Sequence, residues 1–402
     1  MSLLIGWLIW LFLDGILART QLDPSVLEDS KLDTFELIQK YNYPAEKHNV
    51  DTDDGYIITI HRIPMLGAIP VLLMHGLFDA STTWVMQGPT KGLGYLLHDR
   101  GYDVWMGNIR GNTYGRKHKF LKQHQPEFWD YSFHEIGIFD IPNTIDYVLN
   151  NTGYSQLQYI GHSQGTTSFF VMGSERPDYM SKIISMHAMA PVAFFEHTKS
   201  PVIKFLGEAQ TSSIIMNKFF GTHEFLPRSE LTNTFSKFIC ASDLTQPICS
   251  NMIFLTTGFN SDQLNLTMLP VFIAHAPAGA STKQVMHFGQ VRALGGLRKF
   301  DYGLVQNLQR YKTVTPPEYN LRNVRAKVSL YYGQNDWLAQ PEDVKLLLNK
   351  LPNVIYDYLS DYQKFNHLDF VWGIDSWDLI WERIFNNMQV HDLSIRYGSW
   401  NK

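Results

Sequence analysis

Leu157-Gln158-Tyr159-Ile160-Gly161-His162-Ser163-Gln164-Gly165 is the stretch whose reading decides the fold. Residues 157–160 read as a buried strand and residues 165–173 as the helix that follows it. Between them stands Gly-x-Ser-x-Gly. A sharp strand-to-helix turn projects the serine hydroxyl clear of the backbone, and glycine is needed on both sides because side chains there would clash. The start of the helix brings free N–H groups and the positive end of its dipole to the reacting oxygen. Ser163 is therefore a candidate nucleophile at the end of a strand.

A serine nucleophile needs a base, and the base needs an orienting carboxylate. In a strand–turn–helix setting these follow in the order Ser, Asp, His, each just past the end of a later strand. Val328–Tyr332 reads as such a strand, and Gly333-Gln334-Asn335-Asp336 follows it. Residues 354–358 read as the next strand, with His367 in the loop beyond. His391 lies past a further helix, and Asp357 and Asp361 fall in or just after the later strand, which is the wrong order. The developing oxyanion needs two backbone N–H donors. Gln164, directly after the serine, supplies one. Residues 71–74 read as an early strand leading into His75-Gly76-Leu77, and Leu77 N–H is the expected second donor, with Gly76 allowing close approach.

Working outward, short apolar runs at 56–61, 104–106 and 183–186 alternate with helical stretches such as 141–149. Asp53-Asp54-Gly55 is a hairpin turn signal before the first of these. Strands alternating with helices predict an α/β fold, a mainly parallel sheet covered on both faces. The rhythm breaks after Pro191. Residues 193–322 turn helical and loop-rich, then a strand resumes, so the expected organisation is a core of 19–192 and 323–402 interrupted by a helical cap or lid insertion at 193–322. Two stripes at helical spacing, Leu231, Phe235, Phe238, Ile239 and Ile214, Ile215, Phe219, Phe220, suit either the insertion's own core or the underside of a lid.

The chain has 402 residues, 45% apolar and 18% charged, with a net charge of −4, which excludes a disordered chain. Two cysteines exclude a disulfide framework. The charge gives no reason to expect nucleic acid. A basic run, Arg116, Lys117, His118, Lys119, Lys122 and His124, reads as a solvated loop. Neither a zinc spacing nor a nucleotide fingerprint is present, so no metal or cofactor is expected.

At the N-terminus the apolar run from Leu3 to Leu13 is too short to span a membrane and suits a signal peptide, with Ile16 and Ala18 before a cut after residue 18. No Lys or Arg precedes it, which is atypical. No later stretch reaches spanning length. Asn150 and Asn265 begin N-glycosylation triplets. Cys240 and Cys249 in an oxidising compartment would close a short loop, contributing about 2–3 kcal/mol; in a reducing one they are two thiols.

Taken together these segments resemble the acid lipase family, the secreted gastric and lysosomal lipases with an α/β-hydrolase fold. The carriers are Tyr43-Pro44-Ala45-Glu46, Asp54-Gly55-Tyr56-Ile57, His75-Gly76-Leu77, Gly161 through Gly165 with Thr166-Thr167, Asn335-Asp336-Trp337-Leu338-Ala339, and Asn366-His367-Leu368-Asp369-Phe370. Within the insertion, Pro277-Ala278-Gly279, His287 and Phe300-Asp301-Tyr302-Gly303 also match. The resemblance covers nearly the whole chain after the leader. It implies a triad at Ser163, Asp336 and His367, oxyanion donors at Leu77 and Gln164, and an insertion holding a Cys240–Cys249 disulfide. It further implies a serine ester hydrolase acting on neutral-lipid esters at an oil–water or membrane interface, secreted or lysosomal. Gln340 stands where members often have Asp, and a small effect is expected. A binding module derived from the fold would have lost a triad member; none is lost. In an acidic compartment the 15 histidines would turn the mild negative charge positive.

Overall fold

The computed structural model describes residues 23–209, 223–225 and 246–398. The expected signal peptide, both apolar stripes of the insertion and Cys240 lie outside the described residues, as does the Cys249 side chain.

The strands are β1 (Glu46–Asp51), β2 (Tyr56–Ile63), β3 (Pro70–Met74), β4 (Asp103–Met106), β5 (Lys117–His118), β6 (Leu157–His162) and β7 (Ile183–Met189). A short pair follows, β8 (Glu224–Phe225) and β9 (Ala280–Ser281), then β10 (Val328–Tyr332) and β11 (Val354–Leu359). The main sheet has the order β1-β2-β4-β3-β6-β7-β10-β11, with β5 added on β2. From β4 to β11 every pairing is parallel; β1, β2 and β5 pair antiparallel at one edge. The central strands β3, β6, β7 and β10 are buried along their whole length, as strands covered on both faces must be. From β3 the chain winds one way to β4, then back past β3 to β6, β7, β10 and β11. With the right-handed crossovers that parallel strands take as a rule, winding in opposite directions puts helices on both faces, as expected of the α/β reading.

The principal helices are α1 (Thr34–Lys40), α2 (Ile141–Thr152), α3 (Gln164–Glu175), α4 (Pro201–Ala209), α5 (Gln246–Thr257), α6 (Thr282–Leu294), α7 (Leu304–Tyr311) and α8 (Glu382–Gly398). A reciprocal capping box of Asp33 and Glu36 starts α1. Gly153, at φ 74°, ends α2. Residues 164–174 of α3 are all buried, so this helix is enclosed rather than amphipathic. Helices α4 to α7 and the β8–β9 pair lie between β7 and β10, the stretch expected to be helical and loop-rich.

β1 was not anticipated. Its sequence, EKHNVD, holds one apolar residue, Val50, and it forms by pairing across the Asp53-Asp54-Gly55 turn. Gly55, at φ 103°, donates its N–H to Thr52 O at 2.9 Å and closes that turn. The basic run is also more ordered than a solvated loop. Lys117 and His118 form β5, Arg116 pairs with Glu224, and Lys119 lies 2.9 Å from Asp51. Arg110, buried just after β4, donates to Asp54 at 2.6 and 2.9 Å and to Asp140 at 2.8 Å, tying the β1–β2 turn to the start of α2.

Candidate active site

β6 ends at His162, and Ser163 takes φ 53°, ψ −118° before α3 begins at Gln164. A positive φ at a residue with a side chain is strained by about 1–3 kcal/mol. It is held by the Ser163 N–H, which donates to Met189 O on β7 at 3.0 Å. Both flanking glycines are enforced: a Cβ on Gly165 would run into the Met74 carbonyl of β3, and one on Gly161 would crowd the backbone of Gly165.

Asp336 follows β10 and is fully buried. Its Oδ1 accepts from the N–H groups of Leu338 at 2.9 Å and Ala339 at 2.8 Å, which fix the carboxylate's orientation. His367, beyond β11, has Nδ1 at 2.8 and 3.0 Å from the two Asp336 oxygens and Nε2 at 2.8 Å from Ser163 Oγ. A carboxylate can only accept, so Nδ1 carries the proton and Nε2 is left as the acceptor for the Ser163 hydroxyl. The three side chains expected from strand order thus lie in one hydrogen-bonded line. Asp361 sits instead 3.6 Å from Arg383, and His391 beside Lys327 at 3.3 Å.

The loop after β3 passes against the serine: a Cβ on Gly76 would lie 3.1 Å from Ser163 Cβ. Among the described residues Leu77 N–H has no acceptor, and Gln164 N–H, first in α3, has none within the helix. The loop is braced from below. His75 Nδ1 donates to Gly76 O at 2.8 Å, and its Nε2 accepts from Asn112 at 3.1 Å. Burial pushes the His75 imidazole down to about 4.

Three neighbours were not assigned their contacts from the sequence. His162 donates from Nε2 to the His367 carbonyl at 2.9 Å, and burial pushes it down to about 3, so it stays neutral beside the triad. Its place inside Gly-x-Ser-x-Gly was the available clue. Gln284 on α6 donates to Gln164 Oε1 at 2.5 Å, although the two are 120 residues apart. Gln340 donates to the Asp336 carbonyl, nearer the triad acid than expected. Of the two triplets, Asn150 is exposed near the end of α2, while Asn265 is half-buried and accepts from Thr267 N–H at 3.1 Å. Among the described residues no group of three or more His, Cys, Asp or Glu is gathered for a metal.

A sheet of this topology with serine, aspartate and histidine at three strand ends defines an α/β-hydrolase. The family profile for the alpha/beta hydrolase fold matches residues 69–374, and the partial alpha/beta-hydrolase lipase region matches residues 34–88. Among curated proteins, the chain is 42% identical to Lipase 3 of Drosophila melanogaster over 90% of its length and 93% of that protein. It is 38% identical to gastric triacylglycerol lipase of Bos taurus, with 90% and 92% covered. It is 35% identical to human lysosomal acid lipase/cholesteryl ester hydrolase, with 92% and 93% covered. A bacterial membrane phospholipase A shares the fold at a TM-score of 0.51 and 12% identity, with 98% and 99% covered. The chain belongs to the α/β-hydrolase lipases, a family of ester hydrolases.

Proposed function

We propose that this ester hydrolase cleaves carboxylic esters of neutral lipids, triacylglycerol or cholesteryl ester, through an acyl-enzyme on Ser163. The observation that carries the reading is the unbroken line from Asp336 through His367 to Ser163 Oγ, with 2.8 Å at each link. His367 Nε2 takes the hydroxyl proton as Oγ attacks the ester carbonyl. The N–H groups of Leu77 and Gln164 receive the charge on the carbonyl oxygen. The same imidazole then protonates the departing alcohol and afterwards activates water to release the acid, while Asp336 holds the tautomer and stabilises the imidazolium. The lipid substrate is supported by relatives named for triacylglycerol and cholesteryl ester and by the aromatic and aliphatic stripes of the insertion at 193–322, read as a cap with an apolar underside.

A lumenal setting, secreted or lysosomal, accompanies this reading. It is supported by the apolar leader at 1–18, the triplets at Asn150 and Asn265, and the spacing of Cys240 and Cys249, which would close a short loop in an oxidising compartment. No helix among the described residues is long and apolar enough to cross a membrane.

The test has two arms. Ser163→Ala abolishes turnover of a short-chain nitrophenyl ester while the protein stays folded; turnover above a trace rejects the nucleophile. With a short-chain triacylglycerol taken through its solubility limit, the rate rises sharply as emulsion forms. A smooth saturation below that limit would make the protein a general carboxylesterase instead.

A further inference from the structure

The stretch Thr257 to Asn260, where the chain leaves α5, is stitched to both loops that carry His367 and Asp336. Thr257 O accepts from His367 N–H and from Trp337 N–H, each at 3.3 Å. Gly258 O accepts from Asn366 Nδ2 at 2.9 Å, and Phe259 O from Asn335 Nδ2 at 2.8 Å. Asn260, buried to 1% exposure, donates from Nδ2 to Asp369 Oδ2 at 2.6 Å. That same oxygen accepts from Asn366 N–H at 2.7 Å. The Asn366 carboxamide in turn accepts from Leu368 and Asp369 N–H at 2.9 and 3.0 Å. The turn bearing His367 is thereby closed on one side by its own Asn366 and on the other by a residue of the insertion.

We propose that Asn260 and Asp369 are a positioning pair that sets the His367 turn, and with it the imidazole, against Ser163 and Asp336. The proposal rests on the serine-hydrolase reading above. It follows from the geometry of the turn. His367 bridges two partners at 2.8 Å, and an imidazole displaced by an ångström loses one of them. His162 holds the His367 carbonyl from the β6 side, and on the side of residues 257–260 the turn is held by Asp369 Oδ2 and the Thr257 and Gly258 carbonyls. Burial raises the Asp369 carboxyl to about 7, in spite of its hydrogen bonds. What the turn uses is therefore an oxygen that accepts two N–H groups more than a full negative charge, and an amide oxygen at the same place would serve.

The pair is tested on a soluble nitrophenyl butyrate, with rates expressed per serine labelled by a fluorophosphonate, so that unfolded molecules are not counted. Asn260→Ala and Asp369→Ala each lower kcat at least tenfold with KM within twofold of the parent. Asp369→Asn keeps the acceptor and stays within threefold. If Asn260→Ala does not fold, Asn260→Ser, which retains a donor of shorter reach, takes its place with an intermediate loss. A kcat per labelled site within twofold of the parent in Asp369→Ala and the Asn260 variant overturns the proposal, as does an equal loss in Asp369→Asn and Asp369→Ala. A parent protein that neither labels nor turns over would instead reject the serine-hydrolase reading itself.

Discussion

Asp336 has two tasks that a single substitution can separate. Its Oδ1 receives the Leu338 and Ala339 N–H groups, and both oxygens face His367 Nδ1. Asp336→Asn keeps an oxygen for the backbone donors yet presents an amide to the imidazole, which favours the wrong tautomer. The expected result is a fall in kcat of about 10⁴ with the melting temperature little changed, measured on the soluble ester. Gly165→Ala should do the opposite: the added methyl meets the Met74 carbonyl, so β3 and α3 are forced apart and stability falls before chemistry is reached. Urea titration of that variant checks it, and an unchanged midpoint would reject the steric account. The meeting of Ser163, Asp336 and His367 was legible because a strand, a turn residue and a reactive side chain recur in a fixed order along the chain. Gln284 was not legible. Nothing in residues 282–294 says that this amide will meet Gln164 across 120 residues, because that contact is made by tertiary packing alone.

Among the elements, the antiparallel edge and the strap after α5 depend on single backbone or charge features. Gly258 holds φ at 110°, and a Cβ there would collide with the Asn335 carbonyl of the acid loop. Gly258→Ala is expected to cost more than about 1 kcal/mol and to lower kcat, since the loop it displaces carries Asp336. Thermal unfolding together with kcat checks both halves. Arg110 is nearly inaccessible, with Asp54 and Asp140 on either side. Burial raises the Asp140 carboxyl to about 6 against the pull of the arginine. Arg110→Met leaves two carboxylates without their partner and should cost about 3–5 kcal/mol by urea unfolding. Strands β3, β6, β7 and β10 were readable from sequence because burial on both faces favours nearly continuous apolar runs, broken here only by Gln158, Ser185, Ser329 and a few histidines. β1 was hidden for the converse reason, since an edge strand with one covered residue can be built from almost any polar sequence.

At the scale of the whole molecule, the charge argument changes. Fifteen histidines suggested a protein that turns positive in acid, but His61, His162, His187 and His287 are driven by burial to about 3 and His75 to about 4. These five stay neutral in the folded chain, whereas the unfolded chain takes up their protons near pH 6.5. Their contribution to stability is therefore complete above about pH 6.5 and is lost as pH falls towards 3–4. Asp79 and Asp369, raised to about 7 by burial, and Asp140, raised to about 6, act in the other direction. The folded chain takes these protons first, so they add stability as pH falls from about 7 towards the carboxylate range. His134 and His391 are also lowered, and Asp343 and His197 raised, so seven groups stand against five and leave a net loss, roughly 1.4 kcal/mol per pH unit for each unbalanced proton. The melting temperature should fall between pH 6.5 and 4.5, and His187→Gln should flatten that decline. An unchanged slope in the variant would mean that His187 is not held neutral.

The split of the site along the chain also has a consequence for biosynthesis. Ser163 and His367 are 204 residues apart, and β10 and β11, with Asp336 and His367 in the loops beyond them, are the last strands among the described residues. A nascent chain that has emerged as far as β7 carries Ser163 and the Leu77 and Gln164 N–H groups but lacks the imidazole that Ser163 meets in the folded protein. On the serine-hydrolase reading proposed above, ester cleavage therefore waits for residue 367, which lies within about the last tenth of the chain.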